Sequence, residues 1–323
     1  MADHLRRASR RLDVKVMMDD LGSAMAAATP PPGGYPSGYV PPTDIARYMR
    51  RGSRVKARRA GNPWLTGDHV KLSTMDGEVA WLGGMNFGSE YRYDWHDLMV
   101  RIEGPVVKRL EWEFHRAWAH AGWSGDLGYM LNTLFRERLV ANYREDEHAE
   151  QWVPLRLLST RTSKRELYHT QLAAMDASQS YIYIATPYFT NQRAITGLIN
   201  ARARGVDVRV ILPGEGNHGV MNSANLITAN RLLEGGVRVY VYPGMSHVKA
   251  AIYDGWVTTG SANFDRLSLK VNQEMNIASS DPRVAELFLA ELFIPDLVRS
   301  QELLQPIPMT AADHWARILM VPL

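Results

Sequence analysis

Two stretches of this sequence carry the same reactive side chains at the same spacing. Asp68–Asn86 reads DHVKLSTMDGEVAWLGGMN, and Ser246–Asn263 reads SHVKAAIYDGWVTTGSAN. Each holds a histidine, a lysine two residues on and an aspartate five after the lysine: His69, Lys71, Asp76 and His247, Lys249, Asp254. Each then runs through Asp-Gly into a short apolar segment. Each closes on a Gly-rich turn with an asparagine, Asn86 or Asn263, and the second turn has Ser261 where the first has Gly84. One His-x-Lys-x4-Asp match is a weak signal, but two copies with matching turns inside longer similar segments are a strong one.

A histidine and a lysine two apart on an extended chain point to the same side, so an imidazole and an ammonium can converge on one point. Two such units around one pocket suit a phosphoryl centre. One histidine attacks phosphorus and forms a covalent phospho-histidine. The other protonates the leaving alkoxide, then deprotonates the incoming hydroxyl or water. Lys71, Lys249, Asn86 and Asn263 are placed to donate to the non-bridging oxygens. A nucleophilic histidine also needs an acceptor on its other ring nitrogen. Asp97 lies 28 residues after His69 and Glu274 lies 27 after His247, in equivalent places of the repeat. Each is a candidate for orienting a histidine, including the one in the opposite half. Asp76 and Asp254 precede glycine at a hairpin turn, where a structural role is the first expectation. This chemistry needs no metal and no cofactor, and no carboxylate or histidine cluster stands at metal-ligand spacing.

The elements that must position these groups read as an α/β fold. Residues 1–11 resemble the end of a helix, Leu12–Met18 alternates as a strand, and Thr29–Pro42 is a Pro- and Gly-rich loop. Thr43 or Asp44 can cap a short helix, Arg54–Arg58 and Leu98–Ile102 read as strands, and Pro105 starts a helix through Ala119. Ser163 and Glu166 form a candidate capping box for the helix that opens the second half. Strands at Tyr181–Ala185, Val206–Leu212 and Val237–Tyr242 then alternate with helices at Asn191–Arg204 and Ser223–Glu234, and Thr186–Phe189 (TPYF) reads as extended. The expected division is a first half over 1–121, a connecting segment over 122–160, and a second half with C-terminal helices over 161–323.

Laid over one another, the halves match at LDVKVMMDD with VDVRVILPG, at SRVKARRA with VRVYVYPG, and at HDLMVRIEG with QEMNIASSD. The second half has about forty residues between its capping box and Val206, whereas the first half has only eleven before Leu12. The first repeat therefore lacks a counterpart of the opening strand and of most of the opening helix. The expectation is a start that lies inside a longer protein.

Bulk composition excludes other chemistries. The 323 residues contain no cysteine, which rules out disulfides, zinc-thiolate sites and thiol nucleophiles. The net charge of +3 gives no support to nucleic-acid binding by bulk charge. Basic residues cluster at Arg6–Lys15 and Arg47–Arg59, as solvated faces or as contacts for anionic head groups. No apolar run reaches the roughly 18 residues that span a bilayer, and MADHLRRASRR lacks the apolar core of a signal peptide. The last ten residues, HWARILMVPL, suit packing on the domain or shallow insertion at a membrane surface.

On its paired motif the chain resembles the phospholipase D superfamily. Within it, the segments WHDLMVRIEGPVV, TPYF, ARARGVDVRVIL, LLEGGVRVYVY and GSANFDRLSLKVNQE are similar to bacterial cardiolipin synthases. The resemblance implies a duplicated fold of two mixed β-sheets flanked by helices, with the active site at the interface of the halves. It implies transfer of a phosphatidyl group from phosphatidylglycerol, or a related donor, to a second phosphatidylglycerol. His69 would be the nucleophile and His247 the acid/base. Work at the cytoplasmic side of the cell membrane, peripheral to it and on anionic phospholipids, is implied as well. The rival expectations are a phospholipase D hydrolase releasing phosphatidic acid, a phosphodiesterase nuclease, and an inactive lipid-binding module. Among the other histidines only His96, beside Asp97, is a candidate for the pocket.

Overall fold

The structure, a computed structural model, describes residues 1–20, 23, 37–61, 67–121, 152–161, 164–216 and 219–310. The expected loop up to residue 36, the connecting segment over 122–151, Ser163 and the apolar C-terminal ten residues lie outside these.

In chain order the strands are β1 (Lys15–Asp19), β2 (Lys56–Ala60), β3 (Leu72–Met75), β4 (Val79–Gly83), β5 (Met99–Glu103), β6 (Arg156–Arg161), β7 (Lys164–Arg165), β8 (Tyr181–Ala185), β9 (Asp207–Pro213), β10 (Arg238–Tyr242), β11 (Ala250–Tyr253), β12 (Trp256–Gly260), β13 (Glu274–Ser279) and β14 (Gln301–Leu303). The second half is built on a nine-stranded mixed sheet in the order β14-β10-β9-β8-β11-β12-β13-β6-β7. β8, β9 and β10 run parallel, and β11 is antiparallel to β8. The runs YIYIA and DVRVILP are apolar almost throughout because both faces of these strands are covered. One face packs Ile182, Ile184, Val208 and Val210 against the helices Gln192–Ala203 and Gly219–Glu234. The other packs Ala185, Ile211 and Ile252 against Phe288, Leu292 and Phe293, from the helical stretch that begins at Pro282.

The first half repeats this plan with a break. Its strands form two sheets, β1-β2 and β3-β4-β5. β1 and β2 correspond to the parallel pair β9 and β10, and β3 to β5 correspond to β11 to β13. In the second half β8 joins the two groups; among the described residues no strand does so in the first. The strand missing from the repeat comparison is thus the one whose place is between β1 and β3. The small sheet is sealed instead by sharing its core with the other half: Ala80, Leu82, Ile102, Val107 and Leu110 pack with Met275 and Ile277 of β13. Burying aliphatic side chains of this size contributes about 1.5–3 kcal/mol each, so the two halves form one cooperative unit.

Some local expectations need correction. TPYF is not a strand: only Phe189 makes an isolated bridge, to Phe264. The helix Glu166–Ala177 starts after Arg165 with no side-chain cap, and Glu166 is instead bound by Arg156, Lys164 and the Ser159 N–H. β6, at the end of the expected connecting segment, is a member of the large sheet and pairs with β13. The helix Val106–His120 buries Val107, Leu110 and Glu113, while Trp112 and Trp118 lie half-buried beneath Arg109 and Arg58. Asp44 does cap the helix Ile45–Arg50, accepting from the Arg47 N–H.

Candidate active site

Neither histidine lies in a sheet ladder. His69 and Lys71 immediately precede β3, and His247 and Lys249 immediately precede β11. They are extended because each segment bridges to the other half. His69 N–H donates to the Gln273 carbonyl at 2.9 Å, and Gln273 N–H to that of Gly67 at 2.9 Å. Symmetrically, His247 N–H donates to the His96 carbonyl at 2.6 Å, and His96 N–H to that of Met245 at 3.0 Å. The residue after each crossing strand position is the orienting carboxylate, so one exchange of backbone hydrogen bonds fixes both partners of each pair.

His69 Nδ1 lies 2.9 and 3.1 Å from the two carboxylate oxygens of Glu274. His247 Nδ1 lies 2.7 Å from Asp97 Oδ2. Both pairs therefore cross the interface between the halves. Asp97 and Glu274 have fully buried side chains, whereas the rings differ: His69 is 31% exposed and His247 is 5% exposed. The lysines converge as the spacing predicts. Lys71 Nζ donates to the His69 carbonyl at 2.6 Å, and Lys249 Nζ to the His247 carbonyl at 2.9 Å. Lys249 Nζ also sits 3.0 Å from each ring nitrogen of His247.

These groups share one electrostatic pocket. Burial pushes the Lys71 ammonium down to about 8, against the pull of Glu274, Asp68 and Asp97. Burial also brings Lys249 down to about 7, with Asp97 opposing, and raises Asp97 to about 6. His247 is held well below its ordinary value, first by burial and then by the charges of Lys249, Lys71 and His69. The neutral form of His247 is thus favoured, with Nδ1 facing Asp97 and Nε2 facing the Lys249 ammonium.

The remaining candidates separate. Ser261 Oγ donates to Glu274, and the Met275 N–H donates back to Ser261 Oγ at 3.1 Å. Its counterpart Gly84 is dictated by space: a Cβ there would sit 2.5 Å from Asp97 Oδ1 and 3.1 Å from the His247 carbonyl. Asn263 is buried beside Asp265, with its Oδ1 lacking a protein partner. Asn86 is exposed, and its Nδ2 donates to Tyr91 Oη at 2.8 Å. Asp76 and Asp254 hold the turn positions with φ of 55° and 47°, a left-handed region that aspartate tolerates. Asp254 accepts from the N–H groups of Gln179, Ser180 and Tyr181 at 2.6, 3.0 and 2.7 Å, which pins the start of β8. Asp76 is exposed at its turn. The His96 backbone lies at the crossing, but its ring turns away, 2.8 Å from Asp296 and stacked on Tyr242.

Two site residues carry no signal in the His/Lys pattern. Tyr91 and Trp95 set their rings 5.2 and 5.6 Å from that of His247. In sequence Tyr91 follows the Gly-rich turn and Trp95 opens WHDLMVRIEGPVV, a segment similar to the cardiolipin synthases, but only the fold brings them back over the opposite histidine.

Residues 172–293 match the family model described as "Cardiolipin synthase, PLD-like domain". Residues 172–293 are thus similar to a phospholipase D-like domain. The chain is 26% identical over 313 residues to a cardiolipin synthase of Listeria innocua, covering 92% of this chain and 60% of that protein. It is 29% identical over 296 residues to cardiolipin synthase A of Pseudomonas syringae, covering 86% of this chain and 56% of that one. The chain thus spans somewhat over half the length of these relatives. The crystal structure of phosphatidylserine synthase from Haemophilus influenzae has the same fold, with a TM-score of 0.67 and 14% identity over 93% of this chain and 77% of that one. The phospholipase D-like resemblance and the mixed α/β fold expected from sequence are both borne out. No helix of the described residues is long and apolar enough to cross a membrane.

Proposed function

We propose that this chain transfers a phosphatidyl group between phospholipids, forming cardiolipin from phosphatidylglycerol or a related donor. The observation that carries the reading is the reciprocal pairing of two histidines with two buried carboxylates across the interface of the halves. In that arrangement Lys249 Nζ lies 3.0 Å from His247 Nε2, and Lys71 Nζ lies at the His69 carbonyl.

His69, the more open ring, attacks phosphorus through Nε2 while Glu274 accepts a hydrogen bond from Nδ1–H and steadies the cation that forms. The P–O bond to the leaving glycerol breaks, and His247 supplies the proton to the departing oxygen. The phosphodiester brings a negative charge against Lys71 and Lys249. This offsets the field that disfavours the His247 cation, so His247 takes up a proton from solvent as the donor binds and holds it at Nε2 until the departing oxygen accepts it. His247 then takes the proton of the incoming hydroxyl. That oxygen bonds phosphorus, and the P–N bond to His69 breaks. Lys71, Lys249, Asn263 and Ser261 act on the non-bridging oxygens or hold the carboxylates that orient the rings. Asp76 and Asp254 shape the turns, and Asn86 acts through Tyr91.

Liposomes of labelled phosphatidylglycerol are the direct test. The parent chain is expected to yield cardiolipin, and His69→Ala and His247→Ala are expected to lose at least about a thousandfold of the rate. Acid quenching should trap phosphorus on the parent and none on His69→Ala. Turnover that survives both substitutions would end the proposal, and phosphatidic acid as the sole product would make the chain a hydrolase.

A further inference from the structure

The repeats differ in the stretch between the Gly-rich turn and the orienting carboxylate. Asn86–Asp97 aligns with Asn263–Glu274 without a gap, so the helix Ser89–Tyr93 corresponds to Arg266–Lys270, Tyr91 to Ser268 and Trp95 to Asn272. The first-repeat positions place two aromatic rings against His247. Tyr91 meets it edge-on, at 81° between planes, and Trp95 meets Tyr91 at 4.5 Å. The matching second-repeat positions carry a hydroxyl and an amide already engaged elsewhere. Ser268 Oγ turns to Asp265 at 3.4 Å, and Asn272 Oδ1 accepts the Gly67 N–H at 3.1 Å. The result is one enclosed imidazole and one open one in a site whose hydrogen-bonding frame is otherwise symmetric.

We propose that Tyr91 and Trp95 are specificity-determining residues, forming an apolar wall that makes the phosphatidyl group pass to a lipid hydroxyl instead of water. The proposal rests on the phosphatidyl-transfer reading above. In the second step His247 Nε2 takes a proton from the acceptor oxygen as that oxygen bonds phosphorus. The P–N bond to His69 Nε2 breaks, and its electron pair returns to the ring. Water balances this step as well as an alcohol does, so the choice is made by what can stand beside His247. A water there would meet the Lys249 ammonium on one side but, on the other, two aromatic surfaces that return no full set of hydrogen bonds. The glycerol carbons of a lipid acceptor cover the same surfaces with C–H groups and leave only the reacting hydroxyl pointed at Nε2. Around His69 no such wall is required, because that nitrogen must admit the donor phosphate.

The test gives His247 the surroundings that the second repeat provides. Tyr91→Ser and Trp95→Asn, singly and together, are compared with the parent on labelled phosphatidylglycerol liposomes, and phosphatidic acid and cardiolipin are counted with time. The ratio of phosphatidic acid to cardiolipin is expected to rise about tenfold in the double variant. It is expected to stay at the parental value in Tyr91→Phe, which keeps the ring. If the double variant fails to fold, as judged by circular dichroism, the single variants and Tyr91→Phe decide the outcome. An unchanged ratio in folded, active variants overturns the wall, as does loss of both products in equal proportion. A Tyr91→Phe shift as large as that of Tyr91→Ser also overturns it, because the effect would then belong to the hydroxyl and Asn86. A parent chain that makes neither product sinks the transfer reading itself, which separates that failure from failure of the wall.

Discussion

Glu274 of the second repeat holds Nδ1 of His69 in the first, and Asp97 of the first holds Nδ1 of His247 in the second. Neither half therefore orients its own histidine. Each ring comes from one repeat and its orientation from the other, and the backbone crossings at Gln273 and His96 set both at once.

Replacing the orienting carboxylate should cost rate without costing the fold. Glu274→Gln keeps the shape and removes the charge that steadies a histidine cation, so kcat should fall about a hundredfold or more with only a small change in Tm. Asp97→Asn should act similarly through His247. Steady-state assays on liposomes beside thermal unfolding would check this, and a parental kcat in either variant would contradict the cross-half pairing.

Gly84→Ser writes the second repeat's residue into the first. The new Cβ would lie 2.5 Å from Asp97 Oδ1, so Asp97 must move off His247. Activity should fall at least about tenfold. The reverse change, Ser261→Gly, removes a hydrogen bond to Glu274 and introduces no clash, so its loss should be the milder of the two.

The pH profile should be a narrow bell. As pH falls through about 6, Asp97 takes a proton and no longer supports a cationic His247. As pH rises through about 7 and 8, Lys249 and Lys71 lose the charges that hold the phosphate oxygens. Stability follows a different sign on the acid side. Asp97 and Asp68, both raised to about 6 by burial, bind protons more tightly folded than unfolded. Through these groups, lowering pH from 6 towards 4 favours the folded state. Activity should therefore disappear between pH 6 and 5 while circular dichroism still shows the native fold.

Glu113 is the structural counterpart to the site. Buried on the helix Val106–His120, it accepts from Arg109 at 3.1 Å, from Arg116 at 2.9 Å and from Arg161 on β6, which fastens the first half to the large sheet. Glu113→Ala leaves Arg116 and Arg161 mostly buried without their anion and should cost about 3 kcal/mol in urea unfolding. A loss below about 1 kcal/mol would show that the halves are joined chiefly by the apolar contacts of Met275 and Ile277.

The chain by itself specified the reactive groups, their duplication and the alternation of strands and helices. These are local properties: a two-residue spacing puts His69 beside Lys71 whatever surrounds them, and Asp-Gly forms the same tight turn in both repeats. It also offered no match for β8 in the first repeat, and among the described residues that half's strands form two separate sheets. Tertiary structure alone decided which carboxylate serves which ring, because Glu274 lies 205 residues from His69 and meets it only after the halves dock. It decided that Gly84 makes room for Asp97, and that His96 turns its ring away to Asp296. It also placed Tyr91 and Trp95 over His247. No spacing rule encodes such contacts, since an aromatic side chain carries the same local preferences in an ordinary core as against a catalytic imidazole. The difference lies in what the chain folds back to bring beside it.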